Sequence, residues 1–414
     1  MSPDPTEISE RNFWLNVLDG AFFPAGYAFI GPATVLPLFV SSMTASKLTI
    51  GVASALIMVG LALPQLWSAW MTLRVRRFWR WFLVSNGLVR LTVLPLLLVP
   101  FLPMPYRLYA FLCGIFAFAA AWGIATPSWS DFVGRLVPAD RRGSFFGLRG
   151  ALQGPASMVA TLGATALLGA LPAPWSFGAC FLAALGFMSL SYACMGFTRV
   201  RWQQEVVEPD RQAPFWGTLW AKLRAHPSFG RYALCRLVVA CGTASTGFWV
   251  VGGQERFALS SSHANLLGLA LLALPTLTGV WWGRLGDRRG PKAQLWAAIG
   301  IGAIANLLLA FSTQLWLYVT ALVLVGLTTS LLVMADFAFL YDACPEERAT
   351  YFGLFNVLLL PATLGVPIGA GLLADHWGLG AVFGASAAAW ILGGIGLLLV
   401  WPQPRSLAAT QVLT

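Results

Sequence analysis

Charged residues are scarce in this chain, and their scarcity decides its broad class. Only 10% of the 414 residues are charged and the mean hydropathy is +0.73, whereas an ordinary soluble domain carries about 25% charged residues. A soluble protein of this size cannot hide 58% hydrophobic residues from water. The lipid bilayer is therefore the first predicted partner of the chain.

The residue types that build enzyme and metal sites are also few. The three histidines lie in predicted loops, far apart in sequence: His226, His263 and His376. The six cysteines show no metal-ligand spacing. Neither a P-loop glycine motif nor a Ser/His/Asp arrangement can be found. We expect no enzyme activity, no cofactor and no metal.

The excess of positive charge, 26 Lys+Arg against 16 Asp+Glu, does not indicate a nucleic-acid partner. The basic residues lie in short separators, and in membrane proteins such residues mark cytoplasmic loops. With the N-terminus inside, most of them fall in the loops 73–78, 131–143, 198–228, 284–292 and 339–350. This predicts a multi-pass protein of the inner (cytoplasmic) membrane with both termini in the cytoplasm.

Apolar runs long enough to span a bilayer, which takes about 20 residues, recur along the whole chain. About twelve are found, near 12–40, 48–72, 79–101, 105–130, 144–171, 174–197, 229–252, 262–283, 293–312, 315–338, 351–374 and 378–401. The pattern predicts an all-α polytopic membrane protein. Two pseudo-symmetric six-helix bundles, 1–197 and 229–414, would be joined by a cytoplasmic linker, 198–228.

The chain also repeats itself. The segment 130–132 (SDF) resembles 335–337 (ADF), and 142–148 (RGSFFGL) resembles 348–354 (RATYFGL). The offset is about half the chain length. Two similar halves joined by a polar linker are typical of transporters built from repeats.

The charged loop at residues 283–292, between the eighth and ninth apolar runs, carries the motif GRLGDRRGPK. This run resembles the loop signature of the major facilitator superfamily, a family of secondary transporters with the two-bundle fold. The resemblance extends over almost the whole chain and points to a prokaryotic member, without identifying a subfamily. The residues that carry the motif are Gly283, Asp287, Arg288, Gly290 and Lys292.

The resemblance implies that this loop is a latch, which holds the bundles together at the cytoplasmic face in the outward-open state. Its expected partners are Asp131, Arg142, Asp336 and Arg348. We expect Gly283 and Gly286 to let two helices approach closely and Gly290 to permit a tight turn. The family's stronger copy, between helices two and three, is degenerate here: residues 71–80 read MTLRVRRFWR, without the Asp or the glycines.

Few charged residues fall inside the apolar runs, and each costs at least about 2.5–3.5 kcal/mol at mid-bilayer. They are Asp19, Arg90 and Arg236, with Glu255 near the outer end of the seventh run. A helical stripe joins Asp19 to Asn12, Asn16, Phe23 and Tyr27, and another joins Arg236 to Thr243 and Thr246. The family fold implies that helices one, four, seven and ten line a central cavity, which these stripes would face.

Three roles are open for Asp19 at this point. It is a protonatable carboxylate coupled to transport, a static partner of Arg90 or Arg236 that fastens helices, or a direct substrate contact. Arg236 is alternatively a contact for an anionic substrate group. Glu255 is an outer-gate or a surface residue.

These observations favour a secondary active transporter that moves a small organic solute or drug by alternating access, with proton-coupled efflux as the leading hypothesis. An uncoupled facilitator or importer is the first alternative, and a non-transporting membrane sensor or scaffold the second. Few charges and many aromatic rings favour an uncharged, amphipathic or weakly charged solute. Protons and this solute are the expected small partners, and a monomer suffices for the mechanism.

Overall fold

A computed structural model describes residues 5–72, 75, 77–136, 142–199, 224, 227–343 and 348–400, and the regular elements of that part of the chain are helices. Ten segments within it are long and apolar enough to cross a membrane. The helices are α1 (Pro5–Ile30), α2 (Val35–Ser41), α3 (Lys47–Thr72), α4 (Phe78–Leu98), α5 (Met104–Leu136), α6 (Arg142–Ala170), α7 (Trp175–Gly196), α8 (Pro227–Cys241), α9 (Trp249–Arg256), α10 (Ser261–Phe311), α11 (Leu315–Ala343) and α12 (Arg348–Val400).

Two of these helices, α10 and α12, each consist of two helical limbs joined at a sharp bend. α10 turns at Gly290 (φ 74°, ψ 172°) and α12 at Gly378 (φ 79°, ψ 173°), in backbone conformations that are essentially restricted to glycine. Each limb is long enough to span, so the two helices supply four spans. With α1 continuing into α2 and α8 into α9, the described chain follows the twelve predicted spans, and Gly290 makes the tight turn expected of it.

The spans alternate between two faces of the molecule. We call the face at which α1 begins and α12 ends the terminal face, and the other the opposite face. In the first half α1 packs on α6 and α7 while α3 and α4 pack on α5; in the second half α10 packs on α11 and α12 on α8. This is the predicted all-α, two-bundle architecture. The proposed linker, 198–228, lies mostly outside the described residues.

The cores show how the bundles meet. One core, on the opposite-face side, contains residues of both halves, among them Phe39, Phe181, Ala264 and Phe383. On the terminal-face side each half has its own core, around Phe82 and Phe132 in the first and around Tyr232 in the second. The bundles touch through α3 against α12 and α6 against α10. The molecule is therefore closed at the opposite face.

Substituting Gly290 by Ala should destabilise the protein by about 1–3 kcal/mol, because alanine is strained at this backbone conformation. The matched control is Gly300→Ala on the following limb, where an added Cβ meets nothing within 4 Å. Helix propensity there favours alanine by up to about 1 kcal/mol. Unfolding of both variants in mixed detergent micelles, followed by tryptophan fluorescence, measures the difference. Equal stabilities would contradict the assignment of the turn to Gly290.

Candidate functional site: buried ion pairs in both bundles

The first two residues of the polar stripe on α1 bind the segment that follows α7. Asn12 donates to the Arg199 carbonyl (2.8 Å) and accepts from the Arg199 amide (3.1 Å). Asn16 donates to Thr198 Oγ1 (3.2 Å). Both asparagines are buried. They tie α1 to the chain that leaves α7, so the first two positions of the stripe serve packing within the first bundle.

One turn further, Asp19 is fully buried and holds an ion pair. Arg149 Nη1, on α6, donates to Asp19 Oδ2 at 2.8 Å and to the Asn16 carbonyl at 2.7 Å. Ser191 Oγ, on α7, donates to the other carboxylate oxygen at 2.6 Å. The Arg149 side chain is 14% exposed and that of Asp19 0%. The pair is thus reachable only from the arginine side.

Gly20 explains how Arg149 reaches its partner. A Cβ at Gly20 would collide with the aliphatic part of the Arg149 side chain, so the arginine crosses α1 over this glycine. Its guanidinium also lies over the Trp129 ring of α5, 4.8 Å from the centroid. Such a cation–π contact adds attraction that does not depend on Asp19.

Arg90, on α4, stands beside this pair without joining it directly. Its guanidinium donates to the carbonyls of Met188 (2.9 Å) and Asn86 (2.8 Å) and to Ser191 Oγ (2.7 Å). Ser191 therefore bridges Arg90 to Asp19, and one carboxylate faces two guanidinium groups. The Phe23 and Tyr192 rings flank the Arg90 guanidinium at 5.5 and 5.3 Å.

The direct partner of Asp19 is therefore Arg149, where the sequence had suggested Arg90 or Arg236. Arg149 is not among the candidates named from the sequence, because it follows the basic loop 131–143 by only six residues. It lies two turns inside α6, on the side that faces α1, and Gly20 beside Asp19 was the one available signal that a bulky neighbour crosses there. The pairing spans 130 residues of sequence, which no local pattern records.

The second bundle has its own buried ion pair. Arg236, on α8, holds Asp336, on α11, through two parallel bonds of 2.6 and 2.9 Å, and Tyr232 donates to the same carboxylate at 2.6 Å. Asp336 was expected in the latch at the cytoplasmic face, yet its buried carboxylate is engaged inside the bundle. Arg236 Nη1 is buried with no hydrogen-bond partner.

The other proposed cavity residues are dispersed. Tyr27 packs against the Trp122 and Phe118 rings, 4.8 and 6.3 Å away. Thr243 Oγ1 donates to a carbonyl of its own helix segment, at Ala240 (2.7 Å). Glu255 is 47% exposed at the opposite face, where it pairs with Lys47. The structure thus brings Asn16 and Asp19 together in one site with Arg90, and leaves Tyr27, Thr243 and Glu255 apart from it.

The proposed latch lies at the terminal-face bend of α10. A Cβ added at Gly283 would meet nothing within 4 Å, whereas one at Gly286 would collide with the side chain of Gln294 on the following limb. Arg288 and Lys292 are exposed and Asp131 is half-buried. The side chains of Asp287, Arg142 and Arg348 lie outside the described residues. Among the described residues, no group of three His, Cys, Asp or Glu side chains is placed to hold a metal.

Comparison with known proteins decides the family. The sequence pattern described as Major Facilitator Superfamily matches residues 18–358 and 232–412. The chain belongs to the Major Facilitator Superfamily. Its members are transporters, so the chain is assigned to transport of a small molecule across a membrane, in line with the resemblance drawn from residues 283–292.

Curated relatives match only a part of the chain. A multidrug resistance protein MdtG of Klebsiella pneumoniae (strain 342) is 30% identical over 110 residues, which are 26% of both chains. That of Salmonella choleraesuis (strain SC-B67) is 32% identical over 105 residues, 25% of this chain and 26% of its own. The match thus spans about a quarter of the length of these relatives.

Solved transporters share the fold over nearly the whole chain. The nucleoside transporter NupG superposes with a TM-score of 0.72 at 13% identity, covering 95% of this chain and 100% of its own. An auto-inhibited POT family peptide transporter gives 0.74 at 14% identity, covering 94% and 96%. FucP in the outward conformation gives 0.65 at 16% identity, covering 94% and 99%. At such identities the likeness concerns the fold alone.

Breaking the Arg236–Asp336 pair on one side should cost about 3–5 kcal/mol of stability, because the remaining charge stays buried without a partner. We expect this loss for Asp336→Ala. The double variant Arg236→Met/Asp336→Leu should recover most of it, since an apolar pair of similar volume removes both charges. Tyr232 loses its hydrogen bond to the carboxylate in both variants, so recovery is incomplete. The free energies of unfolding of the wild type, the two single variants and the double variant are measured in mixed micelles as a double-mutant cycle. If the two single losses add up to the loss of the double variant, the side chains do not form a coupled pair.

Proposed function

We propose that this protein is a secondary active transporter that exports a small organic solute or drug across the cytoplasmic membrane, driven by inward proton movement. It acts as a monomer without a cofactor, and both termini face the cytoplasm. The basic residues of the terminal-face loops support that orientation. The terminal face is then cytoplasmic, and the opposite face is external.

The observation that carries the proposal is the Asp19–Arg149 pair. Asp19 is the one buried carboxylate among the described residues of the first bundle, and its charge is held by an arginine that retains access to solvent. A carboxylate in a membrane interior needs either a cation or a proton. If Arg149 moves away during the cycle, a proton takes its place on Asp19, and its return releases the proton.

Ser191 fits this exchange. Its hydroxyl donates to Asp19 and accepts from Arg90, so the carboxylate stays oriented when Arg149 leaves. Arg90 remains anchored by two backbone carbonyls. In this proposal Arg149 is the mobile cation, while Arg90 is a fixed positive charge that supports the return of Asp19 to its ionised form.

The closed opposite face supports loading from the cytoplasm. The two bundles share a core only on that side, so the state of the molecule is the one in which an exporter would receive its solute from the terminal face. The Phe23 ring, which flanks Arg90, packs on Trp122, and Trp122 packs on Tyr27, so an aromatic surface extends from the Arg90 side of the site along α1 and α5. Such a surface suits an amphipathic solute, and the partial similarity to multidrug resistance proteins points the same way.

An uncoupled facilitator is the second candidate, and one observation favours it. Both carboxylate oxygens of Asp19 already accept hydrogen bonds, and the side chain is wholly buried. A pair of this kind can remain intact throughout the cycle and fasten α1 to α6 and α7. Transport would then follow the solute gradient alone.

The test uses purified protein in proteoliposomes and a panel of fluorescent amphipathic dyes (ethidium, acriflavine and rhodamine). With one-to-one exchange, a gradient of about one pH unit sustains up to about tenfold accumulation of dye in the wild type. Asp19→Asn should reach only equal concentrations on both sides. It should retain exchange of labelled for unlabelled dye, because exchange needs no net proton movement.

Glu10→Gln is the matched control, since it removes an exposed carboxylate from the same helix as Asp19. It should accumulate dye as the wild type does. Proton-driven accumulation that persists in Asp19→Asn would refute coupling through Asp19 and favour the facilitator. Loss of exchange together with accumulation would identify Asp19 as a structural or substrate-binding residue instead.

A further inference from the structure

The first turn of α3 is capped by a residue of the other bundle. The opening N–H groups of a helix have no partner within it and need an acceptor. In α3 the amides of Lys47 and Leu48 donate to the two carboxylate oxygens of Asp375, at 2.5 and 3.0 Å. Asp375 belongs to α12, so this cap joins the two halves.

Ser46 confirms that the cap is supplied from outside. It precedes the first residue of α3, the position from which a serine commonly caps its own helix. Here its hydroxyl instead donates to Asp375 Oδ2 at 2.9 Å. Three donors at the start of α3 thus converge on one carboxylate, which also carries the charge that a helix N-terminus favours.

The backbones beneath the cap are in close contact because two glycines leave room. A Cβ at Gly371 would lie 2.6 Å from Leu48 Cα, and a Cβ at Gly51 would collide with the Pro367 carbonyl. By contrast, a Cβ at Gly369 on the same limb of α12 would meet nothing within 4 Å. The seam between α3 and α12 therefore closes fully only with glycine at positions 51 and 371.

A second link starts from the same residue. The Lys47 side chain pairs with Glu255 on α9. Because Glu255 is 47% exposed, this ion pair is screened by solvent and contributes little. The cap, with three hydrogen bonds to one carboxylate, is the stronger of the two links between the bundles at this edge.

We propose that Asp375 is the gating residue that keeps the transporter closed at the opposite face, by capping α3 from the other bundle. Opening that face moves α3 away from α12 and breaks the cap. The carboxylate then turns to water, and α3 falls back on Ser46. This gate lies on the face away from the motif at 283–292 and works whatever the solute and whether or not protons are coupled.

The experiment measures how often the opposite face opens. Ser54 lies under the cap, where it contacts Gly247 of the second half. Ser54→Cys, in a chain whose native cysteines are replaced, becomes a target for a membrane-impermeant maleimide applied from the opposite face. Its modification rate is proportional to the open population, even when that population is small.

Asp375→Ala should raise the modification rate by about 2- to 30-fold, the range expected for the loss of a helix cap. Asp375→Asn should give a smaller rise than Asp375→Ala, because its single amide oxygen keeps only part of the three hydrogen bonds. Rates for Asp375→Ala equal to those of the parent would overturn the proposal. An equal rise in both variants would overturn the capping role.

The glycine seam gives an independent readout. Gly371→Ala should wedge the seam and raise the rate by about fivefold or more, whereas Gly369→Ala should leave it unchanged. If neither Gly371→Ala nor Asp375→Ala accelerates the modification of Ser54→Cys, the seam between α3 and α12 does not close the opposite face. Size-exclusion profiles identical to the parent's confirm that each variant is folded before its rate is compared.

Discussion

Hydrocarbon cannot solvate an ionised side chain, so a charge within the membrane must find its compensation inside the protein. Among the described residues, each bundle has a buried ion pair between helices that are distant in sequence: Asp19 with Arg149 in the first and Arg236 with Asp336 in the second. Arg90 is satisfied differently, by carbonyls and by Ser191. These contacts fix which helices are neighbours within a bundle, more than they add to its stability.

The contacts between the bundles are of another kind. At the opposite face they include glycine seams, shared apolar packing, the cap on α3 and the exposed Lys47–Glu255 pair. Ser262 and Asn265 of α10 also donate to α6. These contacts can separate without leaving a buried charge alone. Buried charges are thus compensated within each bundle, while the described contacts between the bundles are uncharged or exposed to solvent, a division of the contacts into two kinds. That division is what alternating access requires. The two pairs differ in which member is the more exposed: the arginine in the Arg149–Asp19 pair (14% against 0%), and the carboxylate in the Arg236–Asp336 pair (12% against 8%).

The sequence predicts most of this fold because hydrophobic length and charged separators are local properties. The spans, the turn at Gly290 and the burial of Asp19 all follow from short stretches of sequence. The residues that pair with the buried charges do not follow from short stretches of sequence. Arg149 follows a charged loop in the sequence and therefore resembles a loop residue. Asp336 lies near a helix end, and its repeat counterpart Asp131 belongs to a predicted cytoplasmic loop.

Distance in the chain explains these misses. Ser46 and Asp375 are 329 residues apart, and only the packing of α3 against α12 brings them together. Gly283 and Gly286 lie three residues apart in the same motif, yet only Gly286 has a side chain, that of Gln294, against it. Local sequence patterns predict which polar residues lie in the membrane interior. Their hydrogen-bond and ion-pair partners depend on how the helices of a bundle pack.

The central claim is that Asp19 exchanges Arg149 for a proton in the course of transport. Infrared difference spectroscopy tests it most directly, by following the carboxyl stretching band as saturating dye shifts the protein between its states. The account predicts a band of a protonated carboxyl that appears in the wild type and is absent in Asp19→Asn. A wild-type spectrum without this band, or one that Asp19→Asn leaves unchanged, would contradict the claim and make the pair a permanent fastening.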